Sequence, residues 1–98
     1  MILLRNEFQI KYGKIKEAVA IWKEIILFFN QLDAPKITLL TDITGNAYTM
    51  ILEFEMKDML EMGTKNFEWG KHANIAELYQ KFVLLCDSSK ATIYEIQM

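Results

Sequence analysis

Residues 37–56 read ITLLTDITGNAYTMILEFEM. Ile37, Leu39, Thr41 and Ile43 fall on one side of an extended chain. Tyr48, Met50, Leu52, Phe54 and Met56 then alternate against Thr49, Ile51, Glu53 and Glu55. Period-two alternation on both sides of Thr44-Gly45-Asn46 predicts a β-hairpin, because Gly45 and Asn46 tolerate the positive φ that a short connection demands. What flanks this hairpin decides the fold.

On its N-terminal side, Ile2, Leu4, Asn6, Phe8 and Ile10 share one face of a strand over about residues 2–11, and Leu3, Arg5, Glu7, Gln9 and Lys11 share the other. Gly13 allows a turn, after which Ile15, Ala18, Val19, Trp22, Ile25, Ile26 and Phe29 recur at helical spacing up to about Leu32. Asp33-Ala34-Pro35 ends that helix, since proline disfavours a helical residue before it. On the C-terminal side, Asp58 with Glu61 is a capping pair for a helix running to about Trp69. Gly70 interrupts it, and Asn74 with Glu77 repeats the capping signature before Ile75, Leu78, Tyr79, Phe82, Leu85 and Cys86. Asp87-Ser88-Ser89 is expected as a loop. Thr92, Tyr94, Ile96 and Met98 then alternate with Ala91, Ile93, Glu95 and Gln97 in a last strand. The order βαββαβ is the ferredoxin-like plan, an α+β fold with a four-stranded antiparallel sheet and a second helix split near Gly70. Residues 1–98 are expected to form a single domain.

A hydrophobic fraction of 52% against 24% charged residues is high for so short a chain, whose large relative surface must stay polar. Part of that apolar surplus is expected to face a second subunit or a ligand. A net charge of −2, with lysines scattered singly, offers no basic stripe for a phosphate backbone, so nucleic acid is not an expected partner. No apolar run approaches the length of a membrane span, and Arg5 and Glu7 follow Ile2-Leu3-Leu4 too soon for a signal peptide. A cytoplasmic protein without membrane association is expected. Cys86, the single cysteine, cannot form an internal disulfide and reads as a small buried apolar side chain.

Each strand has one strongly apolar face to pack beneath the helices. The opposite sheet face would carry Arg5, Leu40, Ile51, Glu53 and Ile93 among others, a mixture too apolar at its centre to stand in water. Stacking it on the same face of a second copy, in a homodimer, covers it. Arg5, the only arginine, lies there among Glu7, Glu53, Glu55, Glu95 and Asp42, either as an ion pair or as the anchor for an acidic ligand.

Chemistry is sought among the polar or aromatic residues that interrupt the helix-facing side. These are Asn6 on the first strand, Tyr48 at the hairpin, Trp69 and His72 at the helix break, and Tyr94 on the last strand. A broken helix beside a sheet opens a gap in packing, so Asn6, Trp69 and Tyr94 are expected to line one cleft. Asn6 on an apolar face must find hydrogen bonds or cost about 1–3 kcal/mol. Trp22 and Trp69 sit on helical stripes, where aromatic residues serve as core or as ligand platform. Met50, Met56, Met59 and Met62 add adaptable apolar bulk. With one histidine and no Ser-His-Asp order, phosphate loop or redox dithiol, no metal or cofactor is expected.

The stretch Asn6-Glu7-Phe8-Gln9-Ile10-Lys11-Tyr12-Gly13 resembles the strand and glycine turn before the first helix of the dimeric α+β barrel superfamily, and Thr41-Asp42-Ile43-Thr44-Gly45 resembles its hairpin. That superfamily includes antibiotic-biosynthesis monooxygenases, haem-degrading monooxygenases and NIPSNAP-like proteins. The resemblance implies that Asn6 stands where the monooxygenase branches place an asparagine near substrate or haem. Those branches pair it with a helical tryptophan and, for haem, a histidine farther along. Here Trp69 and His72 are three residues apart across Gly70, so haem is not an expected cofactor. Three roles follow as expectations. The cleft binds or processes a small apolar or aromatic molecule, the protein is a cofactor-independent monooxygenase, or it is a ligand-sensing or purely structural dimer module.

Overall fold

The computed structural model describes residues 1–32, 36–45 and 47–98, and of residues 66 and 67 the backbone only. Strand β1 (Ile2–Ile10) leads to helix α1 (Ile15–Asn30). Strands β2 (Lys36–Thr41) and β3 (Thr49–Met56) form the hairpin, and α2 (Met59–Trp69), α3 (Ala73–Val83) and β4 (Cys86–Glu95) complete the chain. The sheet order is β2-β3-β1-β4 and every neighbouring pair is antiparallel. This is the ferredoxin-like α+β plan, with its second helical region in two pieces. The helix boundary at Asp33-Ala34-Pro35 lies outside the described residues, as does Asn46 of the hairpin.

In the core, Phe8 and Ile10 of β1 and Met50, Leu52, Phe54 and Met56 of β3 point to one side. Ala18, Trp22, Ile25 and Phe29 of α1 and Ile75 and Phe82 of α3 cover them. The spacing of four, three and four residues along α1 is the stripe a helix lays on a sheet. Phe82 sits at the junction, its ring 4.8 Å from Phe8 and 5.6 Å from Trp22, both nearly perpendicular. Gly13 adopts φ 75°, a left-handed turn that delivers the chain from β1 into α1.

Four local expectations change. The hairpin connection is longer than a tight turn: Ile43 is fully exposed rather than on a strand face, and the loop is closed by Asp42. The Asp42 carboxylate accepts a hydrogen bond from the Thr49 N–H at 3.1 Å. Positive φ occurs at Gly45 (132°) and also at Tyr48 (64°). The Tyr48 carbonyl accepts from the Ile10 N–H at 2.8 Å and its ring contacts Tyr12 at 5.2 Å, which hold this left-handed residue in place. At the start of α3, Asn74 is not a cap; His72 occupies the N-cap position with no side-chain hydrogen bond. The turn sets that boundary, since Lys71 N–H donates to the Glu68 carbonyl and His72 N–H to the Trp69 carbonyl.

The fourth change inverts a face. Asp87, Ser88 and Ser89 belong to β4, where Ile10 pairs with Cys86 but Gln9 pairs with Ser88, leaving Asp87 as an unpaired bulge residue. Cys86 is opposite Ile10 on the helix side. The extra residue then reverses the parity of everything after it. Ile93 therefore lies opposite Leu4 on the helix side, and Tyr94 opposite Leu3 on the open face, each the reverse of the expectation. Hydrophobicity does not choose between them: Ile93 is 45% and Tyr94 44% exposed, because β4 is an edge strand. No helix among the described residues is long and apolar enough to cross a membrane.

The Asp58–Glu61 cap is present: the Glu61 N–H donates to the Asp58 carboxylate at 2.9 Å, and the Glu61 carboxylate accepts from the Lys57 N–H at 2.8 Å. Asp58→Ala is expected to lower stability by about 0.5–2 kcal/mol, read as a shifted urea midpoint with unchanged slope.

Candidate functional site

β1 has two halves on its helix side. Phe8 and Ile10 are buried under α1 and α3, whereas Leu4 and Asn6, nearer the other end, are only half-buried. The chain leaves α2 at Trp69 and re-enters a helix at Ala73, so no continuous helix covers that end. The result is a cleft of about 450 Å³ between sheet and helices. Its floor is Leu4, Asn6, Phe54 and Met56. Its walls are Trp22 and Phe29 of α1, Trp69 and Gly70 at the break, and Ile75, Ala76 and Tyr79 of α3.

The walls support one another. Trp69 lies tilted on Phe29 at 4.7 Å and on Phe54 at 6.3 Å. Trp22 stands nearly perpendicular to Phe54 at 6.4 Å and to Tyr79 at 6.3 Å. Such contacts fix ring orientation beyond mere burial. Among the described residues, none lining the cleft is charged. The side-chain amide of Asn6 makes no hydrogen bond to a described residue, and the buried Nε1 of Trp22 has no acceptor. A largely aromatic cavity carrying a few polar groups of this kind suits a small planar molecule with a polar edge.

Asn6 and Trp69 thus share the cleft, while the other three candidates lie elsewhere. Tyr94 is on the open face as a consequence of the Asp87 bulge. Tyr48 stacks against Tyr12 at the hairpin. His72 contacts Phe28 at 5.4 Å and borders a separate hollow with Lys65 and Glu68, on the far side of Trp69. Trp22 and Tyr79 line the cleft, although their sequence positions mark them only as members of helical stripes. The one signal in the sequence is chemical: an indole or phenol at such a position brings a polar atom to be satisfied. Among the described residues, no group of three or more His, Cys, Asp or Glu side chains is placed to hold a metal ion.

On the opposite sheet face, Arg5, Leu40, Ile51 and Glu53 lie together, and Ile93 does not. Arg5 is an intrachain ion pair: Nη2 and Nε both donate to Oε2 of Glu53, at 2.6 and 2.8 Å. Its guanidinium also lies 5.5 Å from the Tyr94 ring. The hydrogen bond to Glu53 raises the Arg5 pKa above its ordinary value, so the guanidinium stays charged.

Comparison with solved structures decides the architecture. A NIPSNAP domain protein from Burkholderia xenovorans superposes with a TM-score of 0.85 at 11% identity, covering 98% of this chain and 94% of that one. A NIPSNAP family protein from Agrobacterium tumefaciens gives 0.83 at 14% identity, over 96% and 90%. The chain has the ferredoxin-like α+β fold of these proteins. An antibiotic biosynthesis monooxygenase superposes with a TM-score of 0.78 at 11% identity, over 98% of each chain. No family model matches the sequence, and no curated protein does. At these identities the likeness carries the fold and not an activity.

Cys86, at the start of β4, donates its thiol to the Phe82 carbonyl at 3.5 Å. Burial, and then the charge of Asp87, push the thiol pKa up. Because the folded state holds this proton more tightly, its contribution to stability is complete below the ordinary thiol value of about 8.5 and is lost as pH rises through the folded value. Folded protein at pH 8 is expected to react with iodoacetamide at least about tenfold more slowly than urea-unfolded protein, followed by mass spectrometry.

Proposed function

We propose that this chain is a cytosolic homodimer whose cleft between sheet and helices binds a small apolar or aromatic molecule. The carrying observation is the pairing of aromatic walls with two polar groups, Asn6 and Trp22 Nε1, that have no hydrogen-bond partner among the described residues. Binding takes precedence over chemistry because the described lining contains no carboxylate, imidazole or amine to move a proton. Leu40 and Tyr94, both exposed on the open sheet face, and Ile51 beside them support stacking of that face on a second copy.

The test is calorimetric titration with naphthalene-sized probes such as 2-naphthol. Saturable binding is expected, and its absence up to millimolar concentration sinks the reading. Since the Asn6 side chain holds nothing in the unliganded protein, Asn6→Ala should leave the unfolding midpoint nearly unchanged. It should weaken probe binding by about 0.5–1.5 kcal/mol, the worth of one net hydrogen bond.

A second reading draws on the likeness to an antibiotic biosynthesis monooxygenase and on the position of Asn6. In it, a phenolic molecule held in the cleft gives four electrons to dioxygen, one oxygen atom entering the ring to leave a quinone and the other leaving as water with the two hydrogens released, and Asn6 donates to the developing oxyanion. Oxygen uptake with phenolic probes, lost in Asn6→Ala, separates this reading from plain binding.

For the dimer, light scattering at micromolar concentration is expected to return twice the mass of the 11.5 kDa chain. Ile51→Lys would place an unpaired charge in the buried centre of the interface, and is expected to return the monomer mass or to unfold the protein.

A further inference from the structure

Trp22 is the residue of the cleft whose chemistry the packing leaves unused. Its side chain is 6% exposed, and Nε1 is covered and has no hydrogen-bond acceptor. The rings around it belong to Phe54, Tyr79 and Phe82. Of these only Tyr79 carries an oxygen, and the indole makes no bond to it. A phenylalanine at position 22 would offer the same edge-on ring contacts without stranding a donor. A buried donor without an acceptor is costly, and the cost is relieved only when an acceptor arrives. Tyr79 is the wall with room to yield: it is 44% exposed, 6.3 Å from the indole, and borders the same cleft. An outward turn of Tyr79 would be the route by which a ligand in the cavity meets the indole edge.

We propose that the Nε1–H of Trp22 is the specificity-determining donor of the cleft, selecting neutral aromatic molecules that carry a carbonyl oxygen over hydrocarbons of the same shape. This rests on the binding reading above. Neutrality follows from the lining: with no cation among the described residues of the cleft, a carboxylate entering it would lose its hydration and gain no counter-charge. The carbonyl follows from the donor: already unpaired in the unliganded protein, it gains a hydrogen bond from a ketone and nothing from a hydrocarbon.

Three probes of one shape test this: 2-acetonaphthone, 2-isopropenylnaphthalene, in which a methylene replaces the carbonyl oxygen, and 2-naphthoate. Calorimetric titration of the wild-type protein is expected to show the ketone binding about tenfold more tightly than the alkene, and more tightly than the carboxylate by at least as much. In Trp22→Phe the ketone and alkene should bind alike, with the alkene no weaker than in the wild type. Equal binding of ketone and alkene to the wild type overturns the proposal while leaving the binding reading intact, as does a ketone preference that survives in Trp22→Phe. Tighter binding of the carboxylate overturns the neutral class. Failure of every probe, 2-naphthol included, sinks the binding reading itself. A measurement needing no change at position 22 guards against misfolding of the variant. In ¹⁵N-labelled protein, with the two indole signals assigned through Trp69→Phe, the Trp22 N–H resonance should move downfield with the ketone and not with the alkene. An unmoved resonance in the ketone complex overturns the proposal.

Discussion

Everything on the helix side depends on how Phe82 seats α3 against the sheet. Its ring is fully buried and meets Phe8 of the central strand and Trp22 of α1 edge-on, so one side chain ties three elements together. The helices thereby cover the Phe8–Ile10 half of β1 tightly. The Leu4–Asn6 half is left to whatever α2 and the start of α3 provide. A continuous helix from residue 59 to 83 would follow one straight axis. The break after Trp69 gives α3 an orientation of its own and leaves Gly70, without a side chain, at the edge of the gap.

The architecture was legible because its main signals were redundant. The alternation of residues 2–10 and 49–56, the stripe along α1 and the Asp58–Glu61 cap each concern groups that are buried or hydrogen-bonded, so pattern and energy agree. The errors fall where burial is weak. β4 is an edge strand, and the bulge at Asp87 that reverses its faces depends on backbone pairing with β1, which a period-two reading of side chains does not register. Asn74 departs from its expected cap for a related reason: a capping signature is common in sequence, and the turn made by Trp69, Lys71 and His72 sets the helix start first.

The candidate site was legible in part for the same physical reason. Asn6 interrupts an otherwise apolar strand face, and Trp69 ends a helix at a glycine; both anomalies are visible without coordinates, and both residues line the cleft. Tyr94 carried the same kind of anomaly on a strand whose register was hidden, and it lies over Arg5 instead. Trp22 was hidden differently. Its place in the helical stripe is ordinary, and only the arrangement of Phe54, Tyr79 and Phe82 around it shows that its N–H has nothing to bond.

The two sides of the sheet therefore treat polar groups in opposite ways. On the open face the guanidinium of Arg5 is matched inside the chain by Glu53 and by the ring of Tyr94, so a second copy stacking there would meet a cation already paired beside Leu40 and Ile51. On the helix side the amide of Asn6 and the indole N–H of Trp22 find no partner among the described residues, in a cavity whose described lining carries no charge. A chain shaped only for assembly would gain stability by replacing Trp22 with an apolar ring, because its N–H is brought out of water without an internal bond in return. A paired guanidinium on the open face, and a buried indole N–H without an acceptor on the side that holds a cavity, are what would be expected of a subunit that used one surface to pair and the other to bind.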